Sequence, residues 1–272
     1  MSSNGQINIL GLPYDQNGSY LRGPALAPDL IWQAFNSPSA NTYNEQFEDL
    51  AASLTYHGYL GIDDFENDIN AGVTQYLDKG QPLISLGGDH SVTYPTLLAY
   101  AKKYPQLSIL HIDAHPDLYE NFEDNHYSHA SPFARIMENK LAQKLVQVGI
   151  RTATDHQHQQ MQRYGVDYIF MNQFQEDQKM QLDGPVFISL DIDVLDPAFA
   201  PGVSHYEPGG MSTRQLINFL QHQSHLNIIG ADLVEYNPTR DFNNATAMVA
   251  AKLLKELATL ILKNNAYCSI LD

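Results

Sequence analysis

The chain has 272 residues, 43% of them apolar, enough for a substantial buried core in one large or two small domains. Fifteen Lys and Arg stand against 31 Asp and Glu, and the formal charge of −16 argues against nucleic acid as a partner, because phosphate binding needs a basic surface. The single cysteine, Cys268, excludes an intrachain disulfide. The start, Met1-Ser2-Ser3-Asn4-Gly5-Gln6, lacks the basic and apolar parts of a signal peptide, and no run approaches membrane-span length, so a cytoplasmic protein with no membrane partner is expected.

Short apolar runs alternate with amphipathic ones. Residues 7–12, Ile-Asn-Ile-Leu-Gly-Leu, predict a first strand, and residues 69–78 a helix. Residues 82–86 predict a strand that runs into Gly87-Gly88, with a helix over 93–103. Residues 107–112 predict the next strand, followed by a helix over 132–139. The pattern then repeats: strand 145–150, helix 155–164, strand 186–190, helix 213–221, strand 227–230, and a long Ala/Leu/Lys-rich helix over 243–262. Strands alternating with helices imply a mainly parallel sheet covered on both faces, read most economically as one three-layer α/β/α domain over 1–272.

Every unusual polar cluster lies just after an apolar run. In open parallel sheets ligands bind beyond the carboxyl ends of the strands, so the clusters are placed for chemistry. They are Gly87-Gly88-Asp89-His90-Ser91, His111-Ile112-Asp113-Ala114-His115-Pro116-Asp117, and Ser189-Leu190-Asp191-Ile192-Asp193 with Val194-Leu195-Asp196-Pro197. Gly-Gly-Asp-His alone could be a capped turn, and Asp-x-Asp alone a solvated one. Alternation along an extended strand would put Asp113, His115 and Asp117 on one side, and Asp191 with Asp193 on one side. Buried carboxylates need a positive partner, and no Lys or Arg is nearby in sequence. With His90, the set holds two imidazoles and more carboxylates than one ion needs. That suits two divalent cations, and its oxygen-rich character favours Mn²⁺ over Zn²⁺ or copper. Two close cations can share a water and lower its pKa towards neutrality. An acidic pocket with such a nucleophile suits a guanidinium, which is planar, cationic and a poor electrophile. The leaving amine then needs a proton, for which a loop histidine is suited.

These motifs, in this order, resemble those of the ureohydrolases, the arginase and agmatinase family, across nearly the whole chain. The resemblance extends from Leu21-Arg22-Gly23-Pro24 to Val234-Glu235-Tyr236-Asn237-Pro238 and Thr246-Ala247-Met248. It is closest to the plant-type arginases, through Tyr127-Ser128-His129-Ala130-Ser131, residues 133–138, Val203-Ser204-His205 and Glu207-Pro208-Gly209-Gly210. It implies an eight-stranded, mainly parallel sheet in a three-layer sandwich, assembled as homo-trimers or hexamers. It implies two Mn²⁺ per subunit, one held by His90, Asp113, Asp117 and Asp191 and the other by Asp113, His115, Asp191 and Asp193. Asp117 would also orient the nucleophile, His129 handle the proton, and Glu235 pair with the guanidinium. Tyr119 is a candidate substrate contact beside them.

Other residues have quieter readings. His126 is the rival to His129 but reads as a solvated loop residue. His111 reads as a hydrogen-bonded core histidine, and His205 as a pocket or loop contact. Residues 118–124, Leu-Tyr-Glu-Asn-Phe-Glu-Asp, are expected to put acids at the pocket mouth, which favours agmatine. Arg22 or Arg151 could supply a partner for a substrate carboxylate. The resemblance itself leans to L-arginine, with other guanidino acids as lesser options. A two-metal phosphoesterase and a non-catalytic guanidine binder are the rivals from other classes; the first lacks its usual Gly-Asn-His-Glu element.

Overall fold

The computed structural model describes the backbone of residues 6–271 and the side chains of residues 6–264, so the Cys268 side chain lies outside the described residues. The strands are β1 (Ile7–Leu12), β2 (Leu54–Tyr59), β3 (Leu83–Gly87), β4 (Ser108–Ile112), β5 (Lys144–Ile150), β6 (Asp167–Phe170), β7 (Pro185–Asp191) and β8 (Asn227–Val234). They form one sheet in the order β2-β1-β3-β8-β7-β4-β5-β6, and every pair is parallel. The inner strands are buried on both faces. In β7, Val186, Phe187, Ile188 and Leu190 are fully enclosed, each contributing about 1.5–3 kcal/mol by burial.

The helices are α1 (Ala27–Phe35), α2 (Phe65–Leu77), α3 (Thr93–Lys103), α4 (Pro132–Glu138), α5 (Asp155–Tyr164), α6 (Thr213–His222) and α7 (Ala245–Leu271). Apolar side chains of α1, α6 and α7 pack into one core, and those of α2, α3, α4 and α5 into the other. The sheet lies between these two layers.

Six strands and six helices fall where the sequence pattern predicts them, within a few residues except at the end of α7, which runs on from 262 to Leu271. The two edge strands and α1 escape that pattern. β2 reads Leu-Thr-Tyr-His-Gly-Tyr and is largely open, and β6 spans only four residues, so neither carries the continuous apolar run of an inner strand. α1 opens with Pro28 in its first turn, a position where the missing N–H costs nothing. α2 begins at Phe65 rather than 69, because the Asp64 side chain accepts the Asn67 N–H and caps it earlier.

The turn after β3 depends on glycine for a steric reason. A Cβ on Gly88 would lie 1.8 Å from the Tyr14 carbonyl oxygen, where the loop after β1 crosses it. That crossing is sealed by the Asp89 N–H donating to the same oxygen. Gly88→Ala must therefore displace backbone. We expect it to lower the unfolding free energy by about 1–3 kcal/mol or more, read from the urea midpoint, and to disturb the His90 turn.

Candidate active site

Four neighbouring strands, β3, β8, β7 and β4, end at the same rim of the sheet. Three of them deliver the predicted clusters, His90 after β3, Asp191 and Asp193 at and after β7, and Asp113 to Asp117 after β4, and β8 delivers Glu235. Strand alternation is not what gathers them. β4 stops at Ile112, and Asp117 reaches the cluster through a left-handed turn, φ 49°. β7 stops at Asp191, and a short 3-10 turn carries Asp193 round while the Asp193 N–H donates to Asp191 Oδ1 at 2.7 Å. Glu235 is also left-handed, φ 66°. Non-glycine residues in that region cost about 1–3 kcal/mol each and concentrate at functional sites.

Within the cluster His90 Nδ1 is buried and makes no hydrogen bond. It nonetheless faces Asp113 Oδ2 at 3.2 Å, Asp117 Oδ2 at 3.1 Å and Asp191 Oδ2 at 3.2 Å. Atoms that ligate one octahedral cation at about 2.1 Å lie about 3 Å from each other, so each of these three oxygens stands at ligand spacing from His90 Nδ1. A second group follows the same pattern: His115 Nδ1 lies 3.0 Å from Asp193 Oδ2 and 3.4 Å from Asp113 Oδ1. Asp113 thus turns one oxygen towards each group, as a bridging carboxylate would. Burial, then the charges of Asp193 and Asp113, push the Asp191 carboxyl well above the usual range. So many buried carboxylates call for cations, and the donor set fits two.

His111 also lies within ligand range of His90 and Asp113. Its hydrogen bonds decide its part. Gln147 Nε2 meets the Pro116 carbonyl oxygen at 2.6 Å, and a carbonyl demands a donor, so this arm is the amide nitrogen. Its other hydrogen goes to His111 Nδ1 at 3.0 Å. Nδ1 is therefore an acceptor, and the proton on Nε2 is donated to Asp113 Oδ2 at 2.7 Å. His111 has no lone pair left for a metal and instead orients Asp113, as its core reading anticipates. On the far side of His90, Nε2 bonds Ser189 Oγ at 3.0 Å, and that hydroxyl donates to the buried Asp232 at 2.8 Å. This network turns Nδ1 towards the carboxylates.

A cavity of about 170 Å³, sized for one small molecule, opens over the cluster. His129, Glu235, Tyr119, Asp117, Asp191, Asp193 and His115 all line it. The His129 ring is held at both ends, by Glu235 Oε1 on Nδ1 at 2.8 Å and by Ser19 Oγ at Nε2 at 2.8 Å. Burial lowers the His129 pKa, but the Glu235 carboxylate outweighs it and raises the value to about 9. Glu235 Oε1 is fixed in turn by the His90 N–H at 2.9 Å.

Several expectations need correction. The acids of 118–124 do not form the mouth. Tyr119 and Phe122 face the cavity, while Glu120 pairs with Arg163 at 3.4 Å and Glu123 and Asp124 stand in solvent on a tight turn. Both turn residues have positive φ, which swings their side chains away. Arg151 is no carboxylate partner, because its guanidinium donates to the carbonyls of Asp193, Val194, Leu195 and Glu207. Arg22 lies outside the cavity wall. His126 lies outside it too, with Nδ1 accepting from the buried Arg135. His205 does line the cavity. Ser19, Thr152 and Gln157 also line it and belong to no motif, so no sequence signal marks them.

The profile of the Arginase family matches residues 5–259. The chain belongs to the arginase family. It is 44% identical to arginase 1, mitochondrial, of Arabidopsis thaliana, over 94% of this chain and 81% of that protein. It is 31% identical to an agmatinase of Bacillus anthracis, over 93% of this chain and 90% of that protein. The solved arginase of Medicago truncatula superposes with a TM-score of 0.88 at 41% identity, covering 95% of this chain and 88% of that one. The family is binuclear and metal-dependent, in keeping with the two donor groups. The arginases of Arabidopsis thaliana and Medicago truncatula carry organellar names, mitochondrial or chloroplastic/mitochondrial. They overturn the expectation of a cytoplasmic location. A lone cysteine rules out a disulfide but does not distinguish one reducing compartment from another. Among the described residues no helix is long and apolar enough to cross a membrane.

The raised His129 pKa has a measurable consequence in chelator-treated protein. The His129–Glu235 pair stabilises the fold fully below the unfolded-state value of about 6.5, and that contribution is lost as pH rises through about 9. The stability gap between wild type and His129→Gln should therefore narrow between those two values, measured by urea melts of the metal-free forms.

Proposed function

We propose that the chain is a two-manganese L-arginine amidinohydrolase, working as one domain and yielding ornithine and urea. The observation that carries this is the convergence of two ligand-spaced donor groups beneath the His129–Glu235 pair in one small cavity. His90, Asp113, Asp117 and Asp191 would hold one ion, and Asp113, His115, Asp191 and Asp193 the other. The oxygen-rich set, with one imidazole per ion, favours manganese. When bound, the two cations offset the buried negative charge and ease loss of a proton from water near neutral pH.

The chain's own groups do the rest. Glu235 pairs with the substrate guanidinium and sets its carbon over the cluster. Asp117 accepts a hydrogen bond from the attacking water and aims it. Addition of that oxygen makes the carbon tetrahedral. Its collapse expels the alkyl nitrogen, which takes a proton from His129. Ser19 and Glu235 hold the His129 ring for that transfer. Tyr119 forms part of the wall along the substrate chain. Assembly as a trimer or hexamer is part of the proposal and rests on the family resemblance.

One observation favours agmatine as a second substrate: among the described residues no Lys or Arg lines the cavity. A phosphate ester would meet the same acidic wall, which weighs against a phosphoesterase.

Urea release from Mn²⁺-loaded protein with arginine, agmatine and other guanidines tests the reading, and absence of urea from all of them would refute it. Asp191→Asn should lose metal and most activity. Glu235→Gln should keep both ions, measured by atomic absorption, yet lose about 10²-fold or more in kcat/KM, since a charged hydrogen bond is worth about 1.5–3 kcal/mol even before orientation is counted.

A further inference from the structure

Building on the guanidine reading above, we infer that the outer cavity reads the two substituents on the substrate's far carbon separately. Glu207 takes the ammonium, and Gln157 with Thr152 takes the carboxylate. With the guanidinium at Glu235, the far end of a linear substrate meets the rest of the lining, which includes all three of these residues.

Glu207 is the acid that faces the mouth, in place of those in 118–124. Its side chain is 35% exposed, and the nearest imidazole nitrogen, His115 Nε2, is 3.8 Å away, beyond a hydrogen bond. Among the described residues no Lys or Arg pairs with it, so a carboxylate oxygen is free for a ligand. Its backbone is rigid. The Glu207 carbonyl accepts from Arg151 Nε at 2.8 Å, and the next turn is tied down where the N–H groups of Gly209 and Gly210 donate to Asp196 Oδ2. A fixed carboxylate at the rim of a cavity is suited to a substrate ammonium.

The start of α5 brings a different chemistry to the same cavity. Gln157 is 4% exposed, yet only half of its amide is used. Oε1 accepts the Thr154 N–H at 3.2 Å in the box that caps α5, while Nε2 has no hydrogen-bond partner among the described residues. The Thr152 hydroxyl also has none there. Two neutral groups with free donors thus stand at the start of α5, an arrangement that accepts a carboxylate by hydrogen bonds without a cation. Arginine satisfies both Glu207 and this pair, and agmatine only Glu207. The discrimination is therefore built from hydrogen bonds and not from a salt bridge.

The test uses three guanidines of one chain length: arginine, agmatine, and 5-guanidinopentanoate, which keeps the carboxylate and lacks the amine. Gln157→Glu retains the oxygen that caps α5 but replaces the donor by a negative charge. It should raise KM about tenfold or more for arginine and 5-guanidinopentanoate while leaving agmatine within about twofold. Glu207→Gln should raise KM about tenfold for arginine and agmatine, leave 5-guanidinopentanoate unchanged, and retain two Mn²⁺ by atomic absorption. Equal shifts for all three substrates, no shifts, or loss of metal from Glu207→Gln would overturn the assignment, the last by making Glu207 a prop for His115. If wild type releases urea from none of them, the guanidine reading fails instead.

Discussion

The structure is organised around a local excess of negative charge. Asp113, Asp117, Asp191 and Asp193 are buried within contact range of two imidazoles, and among the described residues no Lys or Arg pairs with them. Such a cluster is unfavourable as bare protein, because desolvation penalises each carboxylate and the neighbours repel one another. It becomes favourable once cations enter. Much of the surrounding architecture serves to hold the cluster in that poised state. Gln147 and His111 orient Asp113 from one side, and Asp232 and Ser189 orient His90 from another. Arg151 clamps the carbonyls of the turn that carries Asp193.

A parallel sheet makes this possible at modest cost. Its strands satisfy their backbone groups internally and bury apolar side chains on both faces, so the core stays dry and stiff. Only at the strand ends does the chain leave that ladder, and there the two strained residues Asp117 and Glu235 appear. The site is thus assembled from four loops whose origins are fixed by adjacent strands. Small errors in one loop are resisted by the other three through hydrogen bonds that cross between them, such as the His90 N–H to Glu235 and the Ala114 N–H to Asp193.

The cavity lining is mixed in charge. It holds the acids of the cluster, the His129–Glu235 pair, the half-exposed Glu207 and the neutral side chains of Thr152 and Gln157 near α5. A guanidinium meets the acids of the cluster and Glu235 there, while a second polar group on the same molecule can meet the remaining lining. That arrangement follows from residue placement and requires no movement of the fold.

What the sequence alone determined was chemistry tied to local pattern. Continuous apolar runs located the six strands with no polar face to confuse the reading, and carboxylates at their ends marked the ligand groups, since charged residues rarely follow buried strands without purpose. His129 and Glu235 were legible through their motifs. Tertiary structure decided whatever depends on direction. The edge strands lacked a buried second face, and the left-handed turn at Asp117 cannot be read from alternation. The acids of 118–124 turned outward because two positive-φ residues reverse the chain there. Ser19, the Thr152–Gln157 stretch and Glu207 meet in one cavity although these three stretches are far apart in the chain, and no spacing rule relates stretches that only the packing of separate loops brings together.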